Sequence, residues 1–236
     1  MTDRPCGSAS CPVPERPPAH LRSTVWQAGR RLHRGHKNAY PADELVPGGG
    51  ATRFAPQDQS SHVYLATTEI GALLESALHD ASPPFPRVQL PTLQQWSASV
   101  VELQHDVRLF DLRDPELDRL RIGREQLVST LPVHYACTRA WASRLVGRSA
   151  GGQQTHGLVW HSRQSELHAR AMKHRPAFAR LLSEHPTEVA VVWSPPAPAR
   201  LLQPVPGEGI GRLRDGDGWR FVEDLLGLLG IVSDPG

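Results

Sequence analysis

Lysine is nearly missing from this chain: Lys37 and Lys173 are the only two among 26 basic residues. The remaining positive charge is arginine, and no arginine-dense run stands on a helix-patterned segment. That excludes the basic stripe with which a helix follows a phosphate backbone. With 24 acidic residues the formal net charge is +2, so the sequence pI near 8.6 reflects composition bias. The charge is also unevenly spread. Residues 1–40 carry seven Arg or Lys against two acids, and residues 41–118 carry four Arg against twelve acids. An acidic middle speaks against a broad nucleic-acid face. Cysteine is scarce too. Cys6, Cys11 and Cys137 cannot make a disulfide framework for a chain of 236 residues. Cys6 and Cys11 lie in a Pro/Ser-rich stretch, where a metal site would need two more ligands that the neighbouring sequence lacks, so no metal is expected. No apolar run approaches a membrane span, Leu225 to Val232 being the nearest, and the N-terminus has no apolar signal core. The expectation is a cytoplasmic protein without membrane contact. Neither G-x-x-x-x-G-K-[ST] nor G-x-G-x-x-G is present.

What is there is a chain long enough for a sizeable core, with 39% hydrophobic residues. Pro5, Pro12, Pro14, Pro17 and Pro18 predict a disordered leader over residues 1–22. A single domain over 23–236 follows. Arg31-Leu32-His33-Arg34 alternates as a half-buried strand that Gly35 ends, and His33 and His36 read as loop histidines. Residues 37–61 are polar, with Pro47-Gly48-Gly49-Gly50 at their centre, and read as a surface loop of the length that lids use. Val63-Tyr64-Leu65 is a strand core. Thr67 or Thr68 caps a helix whose apolar stripe is Ile70, Leu73, Leu74, Ala77 and Leu78, with Glu75 at the stripe's rim. That position lets the carboxylate face a cleft, or pair with His79 on the surface.

Further on, Val107 to Leu112 alternates as a strand, and Asp114 with Pro115 starts a helix. Tyr135, Thr138, Trp141, Ala142 and Leu145 form one helix face, whose first two members can line a pocket. Gly157 to Trp160 is a strand that delivers His161-Ser162-Arg163. There Ser162 and Arg163 donate to a phosphate or ribose, or Ser162 caps the next helix. Glu188 to Trp193 is a strongly β run, with Ala199 to Val205 as its expected neighbour. Asp215 to Gly218 is a turn too short for a calcium loop, and Trp219 to Leu229 is a final amphipathic helix. Cation, aromatic face and carboxylate, gathered between residues 30 and 80, can together hold a dinucleotide.

The order of these pieces resembles the RES domain, a family named for its Arg, Glu and Ser. The matching residues are Arg34 in Leu32-His33-Arg34, Arg53-Phe54-Ala55-Pro56, Val63-Tyr64-Leu65-Ala66, Ala72-Leu73-Leu74-Glu75, Tyr135 to Ala142, and Gly157 to Arg163. They span residues 25–195. Two departures stand out. Thr52-Arg53-Phe54-Ala55 replaces the family's Gly-Arg-Trp-Asn, so the Asn contact is absent, and Trp160-His161 replaces the commoner Tyr-Pro.

The resemblance implies an α+β fold, mixed, with an ADP-ribosyltransferase-like split β-sheet flanked by helices. It also implies an NAD-degrading enzyme that cleaves the nicotinamide–ribose bond by phosphorolysis or hydrolysis, as a toxin paired with a DNA-binding, Xre-type antitoxin. NAD enters as substrate and inorganic phosphate as co-substrate, with no cofactor. Carried over, Glu75 is the catalytic carboxylate, Arg34 holds phosphate, Ser162 completes the pocket, and Tyr64 stacks on nicotinamide. Arg53 is a second anion contact, with Phe54, Arg163 and Tyr135 around it. An ADP-ribosyltransferase acting on a macromolecule, and a non-catalytic binding protein, stay open beside this reading, as does a homo-oligomer.

Overall fold

The computed structural model describes residues 4–46, 52–57, 61–171, 186–193 and 200–235. The Pro47–Gly50 run, and with it the expected lid, lies outside these residues. In chain order the strands are β1 Ser23–Trp26, β2 Arg31–Lys37, β3 Val63–Ala66, β4 Arg87–Gln89, β5 Trp96–Leu103, β6 Val107–Asp111, β7 Ser149–Ala150, β8 Gln153–Gln154, β9 Gly157–His161, β10 Glu188–Val192, β11 Leu202–Pro204, β12 Gly211–Arg212 and β13 Val232–Asp234. The helices are α1 Glu69–Leu74, α2 Leu90–Leu93, α3 Asp114–Leu120, α4 Tyr135–Ser143, α5 Arg163–Ala171 and α6 Gly216–Leu229.

One sheet dominates, in the order β1-β6-β9-β10-β3-β2-β5-β11, with β12 also on β5. Only β6 and β9 run parallel within it among the described strands. Side chains alternate cleanly across its faces, as the two-residue strand period requires. Leu32, Val63, Leu65, Val159, Ala190 and Val192 belong to one buried cluster. Ala66, Leu158, Trp160, Val189 and Val191 belong to another on the opposite face, which also takes Trp141 and Cys137 of α4. A third cluster joins α1 and the turn after it to α6, through Leu73, Leu74, Leu78, Val222, Leu225 and Leu229. This is the mixed α+β architecture expected.

The split in the sheet is a seam between β2 and β3. The two strands meet at a single residue pair, His33 with Ala66. On either side of the seam pairing is extensive: β2 runs along β5 from Arg31 to Lys37, and β3 runs along β10 from Val63 to Ala66. Beyond the shared pair, β2 and β3 diverge and leave room between them.

Several expectations need correction. Gly35 does not end β2, because the ladder with β5 carries the strand on to Lys37. Gly35 is instead a point of close approach: a Cβ there would sit 2.0 Å from Ser76 Oγ and 3.1 Å from the Ala72 carbonyl. His33 and His36 are therefore strand residues that share no face. α1 stops at Leu74, so Ala77 and Leu78 are buried in the turns that follow, and the helical-wheel placement of Glu75 does not hold. β11 pairs with β5 rather than with β10. The Asp215–Gly218 turn is the start of α6, with Asp215 at its N-cap.

The N-terminal stretch departs most from expectation. Residues 4–22 hold no helix or strand, as their prolines dictate. They are nevertheless packed, with Cys11, Val13 and Leu21 buried in the same cluster as Trp141 and Trp160. Arg4 donates to the Val13 carbonyl at 2.8 Å, and the Arg22 N–H donates to Glu116 Oε1 at 3.1 Å. A few apolar residues spaced among prolines suffice to dock a segment that cannot form a regular element. Val13→Ala is expected to lower unfolding stability by about 1–2 kcal/mol, measured by urea denaturation; an unchanged midpoint would show that the segment does not contribute to the core.

Candidate functional site

The seam opens onto a cleft of about 210 Å³ lined by His33, Gly35, Tyr64, Ala72, Glu75 and Val189 among others. Glu75 reaches it as the C-cap of α1, a short helix held from both ends. Thr68 is the N-cap, its Oγ1 accepting from the Gly71 N–H at 3.1 Å and bonding Thr187 Oγ1 at 2.9 Å. Gly71 is required there, because a Cβ would stand 2.2 Å from Thr187 Cγ2. At the other end the Glu75 N–H closes the helix on the Gly71 carbonyl at 3.0 Å.

The Glu75 carboxylate is oriented by the end of β9. Ser162 Oγ donates to Glu75 Oε1 at 2.6 Å, a charge-assisted bond. The same oxygen receives a longer contact, 3.5 Å, from the Gln164 N–H. Ser162 is itself buried, and its Oγ accepts from the Ser165 N–H at 3.1 Å, so it also caps α5. The cap reading of Ser162 holds, and its hydroxyl proton is given to Glu75. His79, the alternative partner of Glu75, bonds Asp80 instead. Gln164 locks the turn below the site: its Nε2 donates to the His79 carbonyl at 2.9 Å, and its Oε1 accepts from Ser82 Oγ at 2.8 Å.

Tyr64 links this cleft to a second group of predicted residues. Its hydroxyl accepts from the Phe54 N–H at 3.1 Å and donates to Thr52 Oγ1 at 3.1 Å. Burial pushes the phenol up to about 12, against the lowering by its hydrogen bonds and by Arg53, so Tyr64 is a neutral donor at physiological pH. Phe54 is fully buried with its ring 5.1 Å from Trp160, and Tyr64 approaches the same indole edge-on at 6.1 Å. Arg53 is buried between these elements and α4. It donates through Nη2 to the Tyr135 hydroxyl at 3.1 Å, its guanidinium lies 5.1 Å from the Tyr135 ring centroid, and its carbonyl accepts from Thr138 Oγ1 at 2.5 Å. Its Nε is buried without a hydrogen-bond partner among the described residues.

Arg34 is not at this site. It shares the face of Leu32, opposite to His33 and Gly35, and is buried with Nη1 donating to the Ala42 carbonyl at 2.5 Å and the Pro41 carbonyl at 3.4 Å. Burial lowers its pKa to about 10, despite the nearby Glu44 and Asp43 carboxylates. It is a loop anchor. The residue that β2 turns toward the cleft is His33, whose Nδ1 is buried without a hydrogen-bond partner among the described residues. Burial lowers its pKa below the ordinary histidine value, with Glu208 pulling the other way. His33, read from the sequence as a loop histidine, and Arg34 point to opposite faces of β2, and the sequence alone had no means to select the face. Arg163, the first residue of α5, is half-buried beside Ser162.

The rim beyond β9 is a set of ion pairs. Arg113 bridges Asp111 at 2.6 Å and Glu188 at 2.5 Å, and Arg30 reaches Glu188 at 3.1 Å. His161 is taken by Asp114 at 3.1 Å, and Asp114 also binds Arg124 at 2.7 Å. These pairs fix the strand ends from which Ser162 and Thr187 project.

The arrangement as a whole sets an oriented carboxylate, a half-buried tyrosine and an imidazole around a narrow cleft, with a buried guanidinium behind the tyrosine. No described helix is long and apolar enough to cross a membrane. Comparison with known proteins bears on the ancestry of this site. No curated protein matches the sequence. Among solved structures, the crystal structure of the M. tuberculosis MbcT–MbcA toxin–antitoxin complex aligns with 77% of this chain and 84% of the matched chain, at 11% identity and a TM-score of 0.48. The RES domain family profile matches residues 24–195, well over half of the chain and the whole of the cleft just described. The chain belongs to the RES domain family.

Proposed function

We propose that the chain cleaves the nicotinamide–ribose bond of NAD at the seam cleft, with Glu75 as the catalytic carboxylate. The observation that carries this reading is the Glu75 side chain on the cleft wall, one oxygen held by Ser162 at 2.6 Å and the other left for a ligand. In this reaction the C1′–N1 bond breaks with its electron pair moving to the pyridinium nitrogen. Nicotinamide leaves neutral and needs no acid. Positive charge builds on the ribose C1′ and O4′, and a fixed carboxylate stabilises it, as in glycoside hydrolysis. Water or inorganic phosphate then adds to C1′, losing a proton to solvent or buffer.

The other residues take roles that follow from their positions. Tyr64, neutral and tied to the Arg53 turn, offers a ring edge to the nicotinamide. His33 donates to or accepts from a ribose hydroxyl. Arg53, with Nε to spare, and Arg163 are the anion contacts that remain once Arg34 is removed from the list. The sequence resemblance extends the proposal to biology: a toxin held in check by a DNA-binding antitoxin.

The test is NAD loss by purified protein, with and without phosphate, products resolved by mass. Phosphorylated ADP-ribose identifies phosphorolysis, and free ADP-ribose identifies hydrolysis. Glu75→Gln is expected to lower kcat by about 10²–10³-fold with the fold retained by circular dichroism. Undiminished turnover in that variant would overturn the site. Two arginines separate the cleft from the loop anchor. Arg53→Ala is expected to raise KM for NAD by about tenfold. Arg34→Met is expected to cost about 1–3 kcal/mol of stability, by leaving the Ala42 carbonyl without its donor, while KM stays the same. A KM effect confined to Arg34→Met would reverse these assignments.

A further inference from the structure

All three cysteines of the chain meet at one place. Cys6 and Cys11 come from the irregular N-terminal segment, and Cys137 from the first turn of α4. The sulfur atoms of Cys6 and Cys11 and a ring nitrogen of His134 all lie within 4.8 Å of one another. Cys137 is packed beside this group of three, in the same buried cluster as Cys11 and with Cys6 against that cluster. All three cysteines are free thiols. Cys11 and Cys137 are buried, at 8% and 4% exposure, and His134 Nδ1 is buried without a hydrogen-bond partner among the described residues. A buried polar nitrogen without a partner is costly, and two thiols within reach of the same ring, with a third packed beside them, are not an apolar core.

Local geometry favours a shared ligand. Gly7, at φ +69°, turns the chain back between Cys6 and Cys11. His134 is the N-cap of α4, and Cys137 lies three residues on in its first turn. Soft sulfur with imidazole, and no carboxylate in the group, excludes calcium and magnesium and matches the closed tetrahedral Cys₃His set of structural zinc.

We propose that Cys6, Cys11, His134 and Cys137 bind one zinc ion that pins the N-terminal segment to α4. On binding, the three thiols lose their protons to solvent and the imidazole binds as the neutral ring, with no redox change. The consequence reaches the cleft without depending on its chemistry. Tyr135, which bonds Arg53, directly follows His134, and Thr138, which holds the Arg53 carbonyl, directly follows Cys137. The ion therefore positions the helix end that positions Arg53.

The experiment is elemental analysis of the full-length protein purified under reducing conditions, paired with cobalt(II) substitution. One zinc per chain is expected after dialysis, and the cobalt form should show the absorption of tetrahedral thiolate coordination. A strong chelator should lower Tm, and added Zn²⁺ should restore it. Cys6→Ser, at the least buried of the three cysteines, should reduce the zinc content to near zero. Folded wild-type protein that takes up neither zinc nor cobalt would overturn the proposal, as would full zinc content in a Cys6→Ser, Cys11→Ser double variant. A Cys6–Cys11 disulfide found in the reduced preparation would also overturn it.

Discussion

A strand that touches its neighbour at one residue pair and then departs is the constraint on which the rest of this molecule depends. β2 is committed to β5 over seven residues and β3 to β10 over four, so neither can rotate to lengthen their shared ladder. A ladder interrupted inside a core exposes backbone donors and acceptors that must find partners or solvent. Here the gap is bordered by α1 and its C-cap, and a polar side chain at that point meets the cleft at low cost. Glu75 is that side chain.

The carboxylate is useful only if it is held. Ser162 holds it, and Ser162 is in turn held by two obligations, the N-cap of α5 and its own N–H on the Thr187 carbonyl at 2.8 Å. Thr187 in turn bonds the cap of α1. The loop of contacts Thr68–Thr187–Ser162–Glu75 closes on a six-residue helix too short to be stable by itself. Orientation of the functional group and stability of the element that carries it are thus one network. The same economy marks the other wall, where Tyr64 closes the turn that presents Arg53 and α4 receives it.

Much of this was legible in the sequence. The Val63–Ala66 strand, the Thr68 cap, the α4 stripe from Tyr135 to Ala142 and the β9 strand ending at Ser162 are local patterns, and local energetics decides them. Of the residues the family resemblance singled out, Tyr64 and Glu75 line one cleft, Ser162 bonds Glu75, and Arg53 sits on the turn that Tyr64 closes. The face of β2 was not legible. His33 and Arg34 are adjacent polar residues of an alternating strand, and the choice between them depends on which side α1 packs. Nor was the N-terminal segment: proline content forbids regular structure, but not the burial of Val13 and Cys11.

The sequence by itself determined the element types, the caps and the residue kinds available for chemistry, because these depend on neighbours within a few positions. Tertiary structure alone decided the rest. It chose His33 over Arg34 for the cleft, since strand register is a non-local pairing. It joined Ser162 to Glu75, since the two lie 87 residues apart in the chain. It brought Cys6 and Cys11 to His134, since groups divided between distant segments leave no spacing to read.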